Sequence, residues 1–141
     1  MRILRQALVL GLLAAMASAQ MEYKPKFPGD PAHSDPEAAA LGYMRTVVNA
    51  QRIYYKRHKQ YATSLAALVN QGSFTKRMVN PNRGDYTVHF GGKADSFWLA
   101  LTPKAFDPQH RAFFINDTGQ FRFETDKPAT AQSPPLKADQ E

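Results

Sequence analysis

The chain has 141 residues, no cysteine, and a formal net charge of +6 from 18 Lys and Arg against 12 Asp and Glu. This length allows one domain and leaves little room for a second. A hydrophobic content of 43% is enough to build a core. The lack of cysteine excludes disulfides, thiolate catalysis, iron–sulfur clusters and a lipid-modified cysteine anchor.

The N-terminus has the pattern of a secretory signal peptide. Arg2 and Arg5 precede the apolar run 7–17, and Ala17-Ser18-Ala19 fits an A-x-A cleavage site. The apolar run is shorter than the roughly 20 residues that span a bilayer, so a retained membrane anchor is the alternative. We predict cleavage after Ala19, export to the periplasm or the cell exterior, and no stable membrane span afterwards. Losing two arginines and no acid would lower the net charge from +6 to +4.

Three zones are predicted after the signal peptide, residues 1–19. Residues 20–34 contain Pro and Gly among charged residues, a composition typical of an extended linker. Residues 126–141 form a polar, proline-containing stretch that predicts a disordered tail. Between them, residues 35–125 are predicted to form a single compact domain.

A long helix over about 36–59 is predicted to open this domain. Ser34-Asp35-Pro36-Glu37 combines an N-cap residue, Pro in the first turn and Glu three residues after Ser. Ile53 falls on the polar side of the helix, where it is either a stray exposed aliphatic or a contact for a partner. The predicted buried arc contains Ala40, Leu41, Met44, Val47, Val48, Gln51, Tyr54, Tyr55 and His58.

Two antiparallel hairpins are predicted in the second half of the domain. Alternating apolar residues mark strands at 86–90 and 97–101, joined by a loop at 91–95. A second pair, 111–115 and 120–124, is joined by a turn at 116–119. With a short helix at 64–69 in the connecting loop, the prediction is an α+β fold. In it, one long N-terminal amphipathic helix packs on a four-stranded antiparallel sheet.

No known catalytic pattern is present in the sequence. The four histidines, at positions 33, 58, 89 and 110, are read as scattered surface residues rather than metal ligands. Asp117-Thr118-Gly119 superficially matches the aspartic protease motif but is predicted to be a hairpin turn. We therefore expect no catalytic residue, no metal site and no cofactor. A small exported enzyme is the last alternative.

Basic residues dominate one stretch of the chain. Between Glu37 and Asp85 there are eight Lys and Arg and no acid. On the helical wheel Arg45, Arg52, Lys56 and Lys59 share a ridge about 60° wide. The ridge is either a docking strip for DNA, anionic lipid, an acidic glycan or an acidic protein face, or a solvated face favoured by the helix dipole. The candidate binding residues are Arg45, Arg52, Lys56, Arg57 and Lys59.

Several segments resemble type IV pilin-like and pseudopilin-like proteins. ALGYMRTVVNAQ at 40–51 and YATSLAAL at 61–68 are similar to the family's helix and αβ-loop. DYTV at 85–88, FWLALTP at 97–103 and RAFFINDTGQFR at 111–122 are similar to its strands. The resemblance covers about 40–136.

The chain departs from this family at its N-terminus. It lacks a prepilin cleavage site of the G-F-T-L-x-E kind and the long apolar helix that anchors pilin subunits. The resemblance therefore implies the globular part of a pilin-like fold. The implied function is a non-enzymatic structural or interaction module of the cell envelope or of secretion or pilus machinery, with a protein partner. The alternative is a secreted module that binds a polyanion, DNA or an acidic glycan, on the basic ridge.

Overall fold

The computed structural model describes residues 22–138, so the predicted signal peptide lies outside the described residues. The strands form one antiparallel sheet in the order β1-β2-β3-β4-β5. This architecture confirms the α+β prediction. The elements are helix α1 (Asp35–His58), two 3₁₀ turns (Ala66–Leu68 and Lys76–Val79), and strands β1 (Asn82–Arg83), β2 (Tyr86–Lys93), β3 (Ser96–Pro103), β4 (Ala112–Asn116) and β5 (Arg122–Glu124).

Helix α1 begins and ends within one residue of its predicted limits. The Ser34 hydroxyl accepts the Glu37 backbone N–H at 3.2 Å, as expected of an N-cap. At the other end, Lys59 adopts a left-handed φ of 58° and donates its N–H to the Tyr55 carbonyl. Among the described residues, none of the helices is long and apolar enough to cross a membrane.

The buried arc of α1 differs from the prediction at the C-terminal end of the helix and along one flank. Tyr55 is 41% exposed and His58 is exposed, whereas Tyr43 is buried. The loop carrying the 3₁₀ turns packs on the Tyr43 flank, where the Tyr43 hydroxyl donates to the Met78 carbonyl at 3.0 Å. Ile53 of α1 is half-buried against the same loop. Its Cδ1 lies so close to Gly72 that a Cβ on that residue would be 3.1 Å away. A helical wheel cannot predict this burial, because the loop that covers the Tyr43 flank is distant in sequence from that part of α1.

The sheet has five strands rather than the predicted four. The additional strand, β1, has only two residues and pairs with the start of β2. Gly91 and Gly92, predicted to lie in a loop, extend β2 and pair with Trp98 and Phe97 of β3. A Cβ at Gly92 would lie 2.5 Å from the Ala62 carbonyl oxygen, so glycine permits the backbone after α1 to cross the sheet closely.

The two faces of the sheet are covered differently. One face packs against α1 and forms the main core, which includes Leu99, Leu101 and Phe113. The other face carries a smaller apolar cluster of Ala100, Ala112, Phe114 and Ala129, with Phe106 at its edge. Alternation along β3 and β4 therefore buries residues on both faces.

The segments flanking the domain differ from the predicted linker and disordered tail. In the first, Asp30 and Ala32 are buried, and the Pro31 carbonyl accepts a hydrogen bond from Arg111 at 2.9 Å. In the second, the Pro134 carbonyl accepts from Phe123 N–H at 3.0 Å. Proline lacks an N–H but keeps its acceptor, so proline-rich composition did not prevent either segment from pairing with the domain.

Candidate binding surface on the long helix

Two cations of the predicted ridge line a concave surface over the last turns of α1. Its volume is about 470 Å³. Neither Arg52 nor Lys56 forms an ion pair with another residue between 22 and 138. We call this surface the helix cleft; it is lined by Asn49, Arg52, Ile53, Tyr55, Lys56 and Tyr61.

The aromatic wall of the helix cleft is anchored to the sheet. The Tyr55 and Tyr61 rings lie 4.7 Å apart, and Tyr61 meets Phe97 edge-on at 5.0 Å. The Tyr61 backbone N–H donates to the Ala94 carbonyl at 2.9 Å. Burial, with the negative charge of Asp117 as a further contribution, raises the pKa of Tyr61, so its hydroxyl stays neutral at ordinary pH. The cleft therefore presents a fixed, uncharged phenol beside two cations.

Arg45 is separated from the helix cleft by its own contacts. Its guanidinium carbon lies 5.2 Å from the Phe27 ring centroid. Burial opposes the charged form of Asp30, but hydrogen bonds from the Lys26 N–H, the Tyr23 hydroxyl and the Ala32 N–H outweigh that penalty and lower its pKa. The positive charge of Arg45 lowers the pKa of Asp30 further. Arg45 thus stabilises the segment before α1.

The remaining two candidates lie at the end of the helix. Lys59 is the residue that ends α1, and Arg57 is exposed about 100° around the wheel from Lys56. Neither lines the helix cleft. Of the five predicted binding residues, the structure brings Arg52 and Lys56 together in one concave site.

A buried ion pair at the start of α1 was missed by sequence reasoning. Glu37 is fully buried and Arg111 is 7% exposed, and Arg111 Nη2 lies 2.8 Å from Glu37 Oε1. Glu37 also accepts hydrogen bonds from the backbone N–H groups of Arg111 and His33. Glu37 lies within the buried arc of the helical wheel, and this position indicates burial. Because Glu37 also matches a capping box, it was interpreted only as part of the helix start. The pair joins α1 to β4.

His110 is held between two carboxylates and is not a scattered surface histidine. Its Nδ1 lies 2.8 Å from Asp107 Oδ1 and its Nε2 lies 2.8 Å from Asp85 Oδ2. Burial opposes the imidazolium, but the two carboxylates raise the pKa of His110, and the hydrogen bond from His110 lowers the pKa of Asp107. Both ring nitrogens are occupied, so neither is free to act as a base. The arrangement ties the β1–β2 turn to the loop before β4.

This histidine predicts a stability maximum in mildly acidic solution. A raised folded-state pKa stabilises the protein fully below the ordinary histidine pKa of about 6.5 and loses that effect as pH rises through the folded value. The lowered pKa of Asp107 has the opposite pH dependence, because its contribution to the free energy of unfolding is lost as the pH falls through the folded-state pKa. We expect the urea concentration at the unfolding midpoint to decrease as the pH is raised from 6 to 8.

The matched variant for this measurement is His110→Gln. It should show a flatter dependence over the same range, since glutamine does not titrate. A wild-type profile that rises from pH 6 to pH 8, or one that His110→Gln reproduces, would contradict the role of this histidine.

The other suspected chemical motif lies in a turn. Asp117-Thr118-Gly119 connects β4 to β5, with Gly119 at φ 82° and its N–H bonded to the Asn116 carbonyl. Within residues 22–138, no cluster of three or more His, Cys, Asp or Glu residues is arranged to hold a metal ion.

The chain was compared with protein-family models, curated proteins and solved structures. None of them matches it. The site must therefore be interpreted from its own geometry.

Proposed function

We propose that this chain is a non-enzymatic, exported binding module with a pilin-like fold that docks through the helix cleft onto an acidic protein surface of the cell envelope or of secretion or pilus machinery. The order of its elements supports this proposal: one long helix, a loop, then an antiparallel sheet in sequential order. The observation that carries it is that Arg52 and Lys56, which form no ion pair within residues 22–138, lie beside the exposed ring of Tyr55.

The chemistry of the helix cleft suits a protein contact. Arg and Tyr are the residue types most often found at energetic centres of protein interfaces, because they combine a large apolar area with directed hydrogen bonds. The Tyr61 ring already packs against Phe97 in the unbound chain, so binding a partner would cost little conformational entropy at this side chain. No acid lies between Glu37 and Asp85, so the charges that α1 contributes to the cleft are positive and would attract an acidic partner, while Asp117 is the negative charge near Tyr61.

A second candidate, binding of DNA or an acidic glycan, is favoured by one specific feature. Aromatic rings alternate with cations at the cleft, as in surfaces that stack bases or sugars while neutralising anionic groups. Such binding depends steeply on salt, with a logarithmic slope of roughly 0.7–0.9 per phosphate contacted. A protein contact involving two cations and two tyrosines would depend on salt less.

Crosslinking from the cleft tests the proposal. A photoreactive phenylalanine analogue replacing Tyr55 in the full chain, in cells that produce it, should yield a discrete protein adduct. The same analogue replacing Trp98, which is exposed on the sheet face away from α1, should not. Adding Arg52→Glu with Lys56→Glu should abolish the adduct, whereas Lys76→Glu with Arg77→Glu, which reverses the same charge elsewhere, should preserve it.

Heparin and single-stranded DNA are the probes for the second candidate. If no Tyr55 adduct forms and the purified chain binds either polyanion with a steep salt dependence that Arg52→Glu with Lys56→Glu removes, the polyanion function is correct. Neither an adduct nor salt-dependent binding would contradict both functions.

A further inference from the structure

The C-terminal segment pairs with the edge of the sheet. We call residues 129–136 the strap. Phe123 N–H donates to the Pro134 carbonyl at 3.0 Å, Leu136 N–H donates to the Phe121 carbonyl at 2.8 Å, and Arg122 and Pro135 form an antiparallel bridge. Within the strap, residues 130–133 form a turn in which the Ser133 N–H donates to the Thr130 carbonyl at 3.1 Å, and residues 134–136 then extend the sheet beyond β5 by one antiparallel bridge.

Side chains fix the position of the strap along β5. Ser133 is 2% exposed, its hydroxyl donates to Glu124 Oε2 at 2.8 Å, and its carbonyl accepts from Arg122 Nη1 at 2.8 Å. Ala129 packs into the second apolar cluster and Leu136 packs on the main core. The groove thus holds a turn that ends at Ser133, followed by a short extended run of two prolines and Leu136.

The connection between β5 and the strap holds few contacts. All four residues of 125–128 are exposed, and within residues 22–138 the ion pair of Lys127 is the 3.9 Å contact with Glu124. Pro134 and Pro135 lack N–H groups, so Leu136 supplies the strap's backbone donor to the sheet edge, at the Phe121 carbonyl just before β5. Release of the strap would break four hydrogen bonds, all to Phe121 or to residues of β5, and none of the pairings among β1 to β5.

Release of the strap would expose an unpaired strand edge and the apolar groups beside it. It would expose the β5 edge, the Ser133 site at Glu124, and apolar groups of Phe114 and Phe121. An unpaired edge beside apolar surface is a template for another strand, and the segment that fits it is present in every copy of the chain.

We propose that the β5 groove is a site of subunit association, in which a second copy of this chain inserts its own strap, 129–136, in place of the one bound within the chain. Reciprocal exchange gives a closed dimer, and one-way exchange gives an open series of subunits. The site lies on β5, distinct from the helix cleft, and stands whether or not that cleft binds a partner.

The balance between the two forms follows from effective concentration. A short connection holds the strap near its own groove at an effective concentration of about 1 mM or more, so isolated chains in dilute solution keep the strap in place. Copies held together on a surface, or at high concentration, exchange. Reciprocal exchange remakes both contacts and so loses little of the strap's binding free energy.

The absence of native cysteine makes this association directly testable with the full-length chain. Arg122 and Pro135 are bridge partners, a spacing compatible with a disulfide. Chains carrying only Arg122→Cys are mixed with chains carrying only Pro135→Cys and then oxidised. A disulfide between the two chains forms in excess of random collision only if a strap docks on another copy.

A matched pair controls for random collision. Asn82→Cys, exposed on β1 at the opposite edge of the sheet, replaces Arg122→Cys in the control mixture. We expect about tenfold more heterodimer from the strap pair than from the control, increasing with protein concentration. Arg52→Glu with Lys56→Glu should leave this yield unchanged.

A second pair guards against local damage by the first. Gln120→Cys and Lys137→Cys continue the same antiparallel register at two exposed positions. Heterodimer at the control level for both pairs, while a single chain carrying Arg122→Cys and Pro135→Cys closes its own disulfide, would overturn the proposal. The strap would then only cover the edge of its own sheet.

Discussion

Glu37→Gln is expected to lower the free energy of unfolding by about 3–5 kcal/mol, as measured by urea denaturation. The variant leaves the Arg111 guanidinium buried without a compensating charge, at a site where Glu37 is fully buried. Glu37 accepts the His33 N–H through Oε1 and the Arg111 N–H through Oε2. Glutamine has a single carbonyl oxygen and keeps only one of these two acceptors, so the expected loss combines the missing charge with one missing hydrogen bond.

Two further variants define the effect. Adding Arg111→Met to Glu37→Gln should recover part of the loss, because it removes the uncompensated charge while keeping an apolar stem beside Phe113 and Phe123. Lys26→Ala, which breaks an exposed ion pair with Asp35, should change stability by less than about 1 kcal/mol. A Glu37→Gln effect as small as that of Lys26→Ala would contradict the structural role of the buried pair.

Gln51→Leu is expected to lower the free energy of unfolding by about 2–5 kcal/mol, because it leaves two buried backbone groups without partners. The Gln51 side chain donates to the Ala62 carbonyl at 3.0 Å and accepts from the Ala62 N–H at 2.9 Å. Gln51 and Ala62 are both fully buried, so water cannot replace these bonds in the folded state. The amide thereby fixes the turn after α1 against the helix.

Amide exchange provides an independent measurement of the same contact. The Ala62 N–H should be well protected in the wild type and should exchange faster in Gln51→Leu. Asn49→Leu, an exposed change on the same helix, should alter stability by less than about 0.5 kcal/mol. Equal stability of Gln51→Leu and the wild type would show that this amide is not the anchor of the turn.

Local patterns predicted most of the secondary structure because their causes are local. The Ser34 cap and the apolar period determine where α1 begins and which residues can face a core. Alternation determines β2 and β3, and Gly119 marks the β4–β5 connection. The glycines at 91 and 92 misled the prediction because their low strand preference is a local property, whereas the close approach of the Trp98 indole to Gly91 and of the Ala62 backbone to Gly92 is a tertiary one.

The candidate site was predictable only in part. The sequence identified Arg52 and Lys56 and the nearby tyrosines, since they lie within one stretch of helix and the turn after it. It could not separate them from Arg45, whose contacts with Phe27 and Asp30 depend on how the preceding segment folds back. The partners of His110 likewise come from two different loops.

By itself the sequence determined the α+β class, the limits of the long helix and the concentration of positive charge along the helix and the loop after it. Each follows from residue type and spacing within a short window. The tertiary structure alone decided that Glu37 pairs with Arg111, that Gln51 holds Ala62, and that the strap pairs with β5. Those contacts join residues from 11 to 74 positions apart, and their energies depend on burial that only the folded chain creates.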